Sequence, residues 1–150
     1  MTKHLFITLI ALTAIFIPAT AQDAFFDKYA GRRGVTVVTI GKEMLEMMPE
    51  VDALPDRMEK ITDKMDRLRI LKCEGGLVRT VRDASLAEVR NNYKKLLEIN
   101  KEGKLTSVYT RRTDRKKNVI MAIVEQRRRL TVICVTGSMK AKDIQQLLND

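Results

Sequence analysis

Two clusters of basic side chains are the part of this sequence best suited to binding. The first consists of Arg111, Arg112, Arg115, Lys116 and Lys117, and the second consists of Arg127, Arg128 and Arg129. Arginine presents its N–H groups in a planar fork, so such clusters can bind an anionic head group, an acidic glycan or an acidic protein through charge-assisted hydrogen bonds. The alternative is that charged turns protect sheet edges and keep hairpins soluble. The residues alone leave both interpretations open.

Carboxylates are the next group that could do chemistry. They are concentrated in one short stretch that contains Glu43, Glu46, Glu50, Asp52 and Asp56. A glycoside hydrolase needs two carboxyl groups held about 5–10 Å apart on opposite sides of a sugar. Almost any helix followed by a loop offers as many acids, so a solvated surface is the preferred interpretation. A carboxylate-dependent hydrolase is therefore the least favoured function.

Histidine and cysteine are too scarce for the common catalytic and metal-binding sites. The one histidine, His4, lies in a predicted leader, which removes Ser-His-Asp and Cys-His catalysis and histidine-containing zinc sites from the rest of the chain. Cys73 and Cys134 lie in apolar runs typical of strands, where cysteine packs as a small hydrophobic residue. A disulfide would need their Cα atoms within about 7 Å. We predict no catalytic residue, no metal and no cofactor, and an enzyme is the less favoured interpretation.

Residues 1–21 have the three parts of a secretory signal peptide. A short positive start precedes an uncharged apolar run over 5–17, and alanines occupy the two positions that signal peptidase reads. The run is shorter than the about 20 residues that span a bilayer. We predict cleavage between Ala21 and Gln22, export from the cytoplasm, and one domain over 22–150 with no transmembrane span.

The charge of the predicted domain is strongly positive. The whole sequence has 28 Lys and Arg against 19 Asp and Glu. Loss of Lys3 with the leader leaves 27 basic residues and a net charge of +8. Nucleic acid is the usual partner of such a charge, but export argues against it. We expect an envelope protein or an anionic envelope component, with simple solubility as the alternative.

The elements that would position these side chains alternate between helix and strand. Runs rich in β-branched and apolar residues predict strands over 35–40, 68–73, 105–110, 119–124 and 130–135. Helices are predicted over 23–30, over 42–48, around 58–68, from Ser85 to about 99, and at the C-terminus with Ile144, Leu147 and Leu148 inward. This order indicates an α+β domain with a mostly antiparallel four- to five-stranded sheet packed with helices. The last two strands form a hairpin, so the two basic clusters lie at opposite ends of one strand.

The helix from Ser85 and the helix around 58–68 depend on particular residues. Ser85 and Glu88 have the spacing of a capping box, which predicts a helix start. Met58, Ile61, Met65 and Leu68 recur at helical spacing. The five methionines 44, 47, 48, 58 and 65 suggest a soft-metal site, an adaptable peptide groove or a packed core, and the spacing favours the core.

The stretches 25–30, 34–38 and 42–49 together resemble a family of small exported proteins of Gram-negative bacteria. The family is catalogued as domain of unknown function 4252, and the likeness includes a late hairpin that leads to Gly137. It implies a location in the periplasm or cell envelope and a link to envelope stress or regulation through extracytoplasmic sigma-factor systems. Many relatives carry a lipid-attachment cysteine after the signal, whereas this chain has Gln22. The family supplies no catalytic residue.

Together these observations favour an exported envelope protein that acts as a non-enzymatic binding or regulatory module. The first alternative is a binder of a small ligand or an anionic lipid, with a pocket lined by Met and Leu between the sheet and the helices. The second alternative is the carboxylate-dependent hydrolase described above.

Overall fold

The computed structural model describes residues 21–47, 63–114, 116–140 and 142–143. In chain order the elements are α1 (Ala21–Tyr29), β1 (Val35–Gly41), α2 (Lys42–Met47), β2 (Met65–Glu74), α3 (Val78–Arg90), β3 (Lys94–Lys101), β4 (Lys104–Asp114), β5 (Lys117–Gln126) and β6 (Arg129–Gly137). None of the three helices in these ranges is long and apolar enough to cross a membrane.

The six strands form one antiparallel sheet in the order β1-β2-β6-β5-β4-β3. The strands β3 to β6 follow one another as hairpins, and β2 lies between β1 and β6. The predicted α+β class, single domain and antiparallel sheet are confirmed. The predicted count of four to five strands is wrong, because residues 94–101 form a sixth strand instead of part of a helix.

Both faces of the sheet are apolar at its centre, because side chains alternate along each strand. In β6, Val132 and Cys134 belong to the core on one face, which we call the helical face, whereas Ile133 and Val135 belong to the core on the opposite face. The central strands β2, β6 and β5 contribute to both cores. A strand covered on both faces carries apolar residues almost continuously, as β6 does.

The helices α1 and α3 cover the helical face. Phe26 of α1 and Val81 of α3 are fully buried there, in one cluster with Leu71 of β2. Burying a side chain of this kind stabilises a fold by about 1.5–3 kcal/mol. The opposite face is covered in part by Leu45 of α2 and by Met139, which follows β6.

Arg69 of β2 fastens α1 to the sheet. Its side chain is buried and donates hydrogen bonds to Asp23 at 3.1 Å and to Asp27 at 2.9 Å. Its Nε donates to the hydroxyl of Thr39 at 3.0 Å, and its guanidinium lies 4.9 Å from the ring centre of Phe26. A buried charge is stable only when it is paired and hydrogen-bonded, and these contacts supply both conditions.

The helix predicted around 58–68 is wrong in its described part. Met65 and Leu68 lie in β2, where both side chains are buried. A bulge between Met65 and Arg67 interrupts the two-residue alternation, so the apolar residues acquire a helix-like spacing. Residues 48–62 lie outside the described residues, as do residues 1–20 of the predicted signal peptide and the C-terminal helix residues Ile144, Leu147 and Leu148.

The helix predicted from Ser85 also begins elsewhere. α3 runs from Val78 to Arg90, and Ser85 is buried inside it with its hydroxyl donating to the carbonyl of Arg82 at 2.7 Å. The capping box is therefore absent. The apolar residues after α3 belong to the edge strand β3, where a register shift between Lys95 and Leu97 again mimics helical spacing.

Gly137 is the last residue of β6. The family resemblance predicts a glycine at this end of the late hairpin. A Cβ atom at this position would overlap the backbone carbonyl oxygen of Lys64, so only glycine fits. Gly34 fills a similar role before β1, with a φ of +83° and the carbonyl oxygen of Glu74 only 2.5 Å from the place of a Cβ.

Candidate functional site

The first basic cluster lies at the end of the β4–β5 hairpin. Arg111 and Arg112 are near the end of β4, Lys116 is in the turn, and Lys117 begins β5. Arg115 lies outside the described residues. The strands predicted over 105–110 and 119–124 are too short at this end, because Arg111 pairs with Val119 and Arg112 with Asn118.

This end of the hairpin lines a cleft of about 1020 Å³, which we call the β4–β5 cleft. Three parts of the chain meet there: the α3–β3 connection, the β4–β5 hairpin and the segment after β6. The lining residues are Asn91, Asn92, Tyr93, Lys94, Thr110, Arg111, Arg112, Lys116, Lys117, Asn118, Ser138, Met139 and Lys140.

Asn118 holds the segment after β6 in place as one wall of the cleft. Its side-chain amide donates to the carbonyl of Met139 at 2.6 Å, and its side-chain oxygen accepts from the N–H of Met139 at 3.3 Å. The N–H of Ser138 donates to the carbonyl of Lys64 at 3.0 Å. These bonds leave Lys140 exposed at the rim, beside the hairpin that carries Lys116.

Arg111 connects the cleft to α1. Its Nη2 donates to Oε1 of Gln22 at 2.6 Å, and its guanidinium lies 5.3 Å from the ring centre of Tyr93. The Tyr93 hydroxyl donates to the same Gln22 oxygen at 3.4 Å. Burial raises the pKa of Tyr93 to about 12, so this hydroxyl stays protonated at neutral pH. Arg111 is thus bonded to α1. Its Nε is buried and has no hydrogen-bond partner among the described residues.

The charge of the β4–β5 cleft is of one sign. Six of its described lining residues are Lys or Arg, and none is Asp or Glu. Lys117 is partly neutralised by Asp66, with Nζ and Oδ2 2.6 Å apart. Lys94, Lys116 and Lys140 are exposed at the mouth. Charges of one sign around a concave surface reinforce one another and attract oppositely charged partners.

The second basic cluster lies at the β5–β6 turn. Arg127 and Arg128 form the turn, and Arg129 begins β6. They line a smaller cleft of about 650 Å³, which we call the β5–β6 cleft, together with Arg79 and Arg82 of α3.

Acidic side chains compensate much of the charge in the β5–β6 cleft. Glu125 is one of its lining residues, and its carboxylate lies 3.5 Å from Nε of Arg82. Glu74 lies 3.0 Å from Nε of Arg129. The β4–β5 cleft has no acid in its described lining, so it is the stronger candidate for an anionic partner.

The two clefts are separate sites. They lie at opposite ends of β5, a strand of ten residues that spans about 30 Å. This confirms the predicted placement of the clusters at the two ends of one strand.

The chain matches the profile of one protein family, described as domain of unknown function (DUF4252), over residues 29–147. The chain belongs to this family. No curated protein and no solved structure matches it. The match confirms the resemblance seen in the sequence, although it begins at Tyr29, after most of α1. Both clefts described here lie inside the matched range of the DUF4252 domain, except for the contact with Gln22.

The two cysteines of the DUF4252 domain are buried free thiols. They lie on neighbouring strands, but Cys73 is opposite Leu130 whereas Cys134 is opposite Arg69. This offset of four positions separates them by about 13 Å, which is too far for a disulfide. Burial raises the pKa of Cys134 to about 12 and also raises that of Cys73, so neither thiol is a thiolate nucleophile at neutral pH.

The acidic stretch gives no catalytic pair among the described residues. Glu43 and Glu46 are both exposed on the six-residue helix α2, and Glu50, Asp52 and Asp56 lie outside the described residues. Within the described ranges, no group of three His, Cys, Asp or Glu side chains could hold a metal ion.

Lys94 and Lys140 were missed as site residues by the sequence analysis. Lys94 lies within the helix predicted from Ser85 to about 99, and no role was predicted for Lys140. The late hairpin contained a signal for Lys140, since antiparallel pairing brings Gly137 opposite Asn118 and so carries the next residues to the β4–β5 turn. No local pattern indicated Lys94, because its position depends on the whole sheet order.

Proposed function

We propose that this protein is an exported, non-enzymatic binding module of the cell envelope that holds an acidic segment of a protein partner in the β4–β5 cleft. The observation that carries the proposal is the convergence of Lys94, Lys116 and Lys140 from three separate parts of the chain on one cleft whose described lining has no acid.

The weakness of single surface ion pairs favours a partner with several charges. An exposed pair contributes only about 0.2–1 kcal/mol, so one isolated anion would bind poorly to these lysines. A protein segment with several carboxylates contacts them together, and its main chain can bond to the amide groups of Asn91 and Asn92 on the cleft wall. Among its described lining residues the cleft has one methionine, Met139, and no leucine, which differs from the Met- and Leu-lined pocket of the small-ligand alternative.

The position of the predicted cleavage site supports the export part of the proposal. α1 begins at Ala21, and Gln22 is buried against the sheet. Cleavage between these two residues would remove a single residue of the described fold and would keep the bond from Arg111 to Gln22. N-terminal sequencing of the protein recovered from its own cells should therefore begin at Gln22.

A charge-reversal comparison tests binding in the cleft. The double variant Lys116→Glu, Lys140→Glu changes two exposed residues of the β4–β5 cleft, and Arg127→Glu, Arg128→Glu makes the same change in charge at the other end of β5. The probe is a fluorescent peptide of ten glutamates, measured by anisotropy at low salt. We expect the first variant to bind roughly tenfold more weakly than the wild type, which corresponds to about 1.4 kcal/mol. The second variant should lose less than half of that free energy.

Two outcomes of this experiment would overturn the proposal. One is an equal loss of affinity in both variants, which would show that only net charge matters. The other is binding to vesicles that contain anionic lipid without binding to the peptide, which would make the protein a lipid binder. Binding to the peptide should also weaken at high salt, because exposed charges are screened over about 10 Å at 0.1 M salt.

A further inference from the structure

The edge strand β1 has the composition of an interface. Its seven residues are Val, Thr, Ile and Gly, with no charged residue and no proline. Exposed edge strands usually carry charges, prolines or bulges that prevent pairing with another chain. The opposite edge, β3, has two of these features, since it contains Lys94, Lys95 and Lys101 and a register shift. β1 has neither, and its register with β2 is unbroken over all seven residues.

The hydrogen-bond pattern shows which backbone groups of β1 point outward. The N–H of Glu74 donates to the carbonyl of Gly34 at 2.9 Å. Bonded and non-bonded pairs alternate in an antiparallel ladder, so Thr36 and Val38 bond to β2 while Val37 and Thr39 point away from it. In the described part of the chain, no strand pairs with that outer side.

We propose that β1 pairs with β1 of a second copy of this chain, antiparallel and about a two-fold axis at Val38. The outward groups then form bonded pairs between Val37 of one copy and Thr39 of the other. Val38 lies directly opposite Val38 of the second copy. Val35 and Gly41 lie opposite each other at the two ends, where the N–H of Val35 already donates to the carbonyl of Arg32 at 3.0 Å. No charge in the strand meets another charge. The two sheets become one continuous sheet of twelve strands.

Exposed apolar side chains lie in this strand and in the helix that follows it. Val38 is 43% exposed, and Met44 and Met47 of α2, which follows β1 directly, are 53% and 78% exposed. A second copy would cover Val38 with the same residue of its partner. A pairing of β1 with β3 of another copy is disfavoured because it buries lysines and produces an open chain of molecules instead of a closed dimer.

A cysteine pair gives a direct test of the register. In a non-bonded antiparallel pair the Cα atoms are about 4.5 Å apart, which is within the range of a disulfide. Val38→Cys should therefore form a disulfide-linked dimer under mild oxidation of the full chain. Thr36→Cys is the matched control, since it is exposed on the same face but would lie about 13 Å from its counterpart. The native thiols are buried and should not contribute.

A proline at Val37 tests the pairing itself. The N–H of Val37 is one of the outward groups, so proline removes a bond to the second copy without breaking the ladder with β2. Val37→Ala keeps the N–H and is the control. In sedimentation velocity we expect a dimer for the wild type and Val37→Ala, and a monomer for Val37→Pro, with circular dichroism spectra that show all three folded. High salt should strengthen the dimer, because each copy has a net positive charge.

Three results would overturn this inference: a monomeric wild type at micromolar concentration and high salt, a dimeric Val37→Pro, or crosslinking of Cys at 36 as readily as at 38. The inference stands apart from the proposed function. Binding of the acidic peptide weakens with salt and depends on Lys116 and Lys140, whereas dimerisation strengthens with salt and depends on Val37.

Discussion

Arg111 donates a hydrogen bond of 2.6 Å to the side-chain oxygen of Gln22, and this bond joins the β4–β5 cleft to the first helix. The two residues are 89 positions apart in the chain. In the sequence, Arg111 is one of five basic residues of the first cluster, and nothing distinguishes it from the other four. The structure distinguishes Arg111 from Lys116, because Arg111 has a structural partner whereas Lys116 is exposed at the mouth of the cleft.

We predict that Arg111→Met lowers the free energy of unfolding by about 1–2 kcal/mol, since it removes a charged hydrogen bond from a half-buried site. Lys116→Met, at an exposed position, should change it by less than about 0.5 kcal/mol. Urea unfolding followed by circular dichroism measures both values. Equal effects of the two substitutions would show that Arg111 has no structural role.

Arg69→Met should loosen α1. The substitution removes the ion pairs of Arg69 with Asp23 and Asp27. Because Asp27 is 70% exposed, the loss of its ion pair costs little free energy. We therefore expect a cost of about 2 kcal/mol, below the 3–5 kcal/mol of a fully buried pair. Amide hydrogen exchange should become faster in α1 but not in β5.

The control for Arg69 is Arg67→Met. Arg67 also contacts Asp23, at 2.7 Å, but its side chain is 41% exposed. Its replacement should cost less than half as much. Unchanged exchange in α1 of Arg69→Met would contradict the fastening role of Arg69.

The buried thiol of Cys134 predicts a loss of stability at alkaline pH. Burial and then the carboxylate of Asp23 raise its pKa from 9.0 to about 12. Between these values the folded state binds more protons than the unfolded state, so the free energy of unfolding falls as pH rises above 9.0. Below 9.0 the contribution is fully present.

Urea unfolding of wild type and Cys134→Ala at increasing pH checks this prediction. As pH rises, the free energy of unfolding of the wild type should fall relative to that of Cys134→Ala. A thiol reagent at neutral pH should modify neither Cys134 nor Cys73 until the protein is unfolded. Rapid modification of the native protein would contradict the burial of both thiols.

Gly137→Ala should destabilise the protein by about 2–3 kcal/mol, because the new Cβ atom overlaps the carbonyl oxygen of Lys64 and the backbone must shift. Gly76→Ala is the control, since a Cβ there has no atom within 4 Å. Thermal unfolding of both variants measures the difference. Equal melting temperatures would show that the backbones at Lys64 and Gly137 are not in close contact.

The strands of the late hairpin could be predicted because their signals are local. The runs 119–124 and 130–135 are apolar and β-branched, and the structure has β5 and β6 there. Arg127 and Arg128 lie in the connection between them, as expected. The α+β class followed from the same patterns.

The edge strand β3 was harder to predict than the edge strand β1, because a register shift disturbs its two-residue period. The register shift between Lys95 and Leu97 places apolar residues of β3 at helical spacing, so this strand was assigned to a helix. Ser85 and Glu88 matched a capping box, but α3 begins at Val78 without a side-chain cap, and Val81 of its first turn is buried in the core. The spacing of residues alone cannot distinguish a strand with a register shift from a helix, or a serine inside a helix from one at its start.

The cleft could be predicted only in part. The β4–β5 cluster was found from its composition, but Lys94 and Lys140 reach it through the order of all six strands. The separation between the two clefts followed from the hairpin. In the β5–β6 cleft, Glu125 pairs with an arginine of α3, and Glu74 of β2 pairs with an arginine of β6. No sequence pattern indicates that these acids neutralise the charge of one cleft and not of the other.

The most direct test of the proposed function is the site at which an acidic peptide binds. We would titrate isotope-labelled protein with a peptide of ten glutamates and follow the backbone amide signals by NMR. The account predicts the largest shifts at Lys116, Asn118 and Lys140, with Arg127 and Arg128 nearly unchanged. Shifts concentrated at Arg127 and Arg128, or spread evenly over all basic residues, would contradict it.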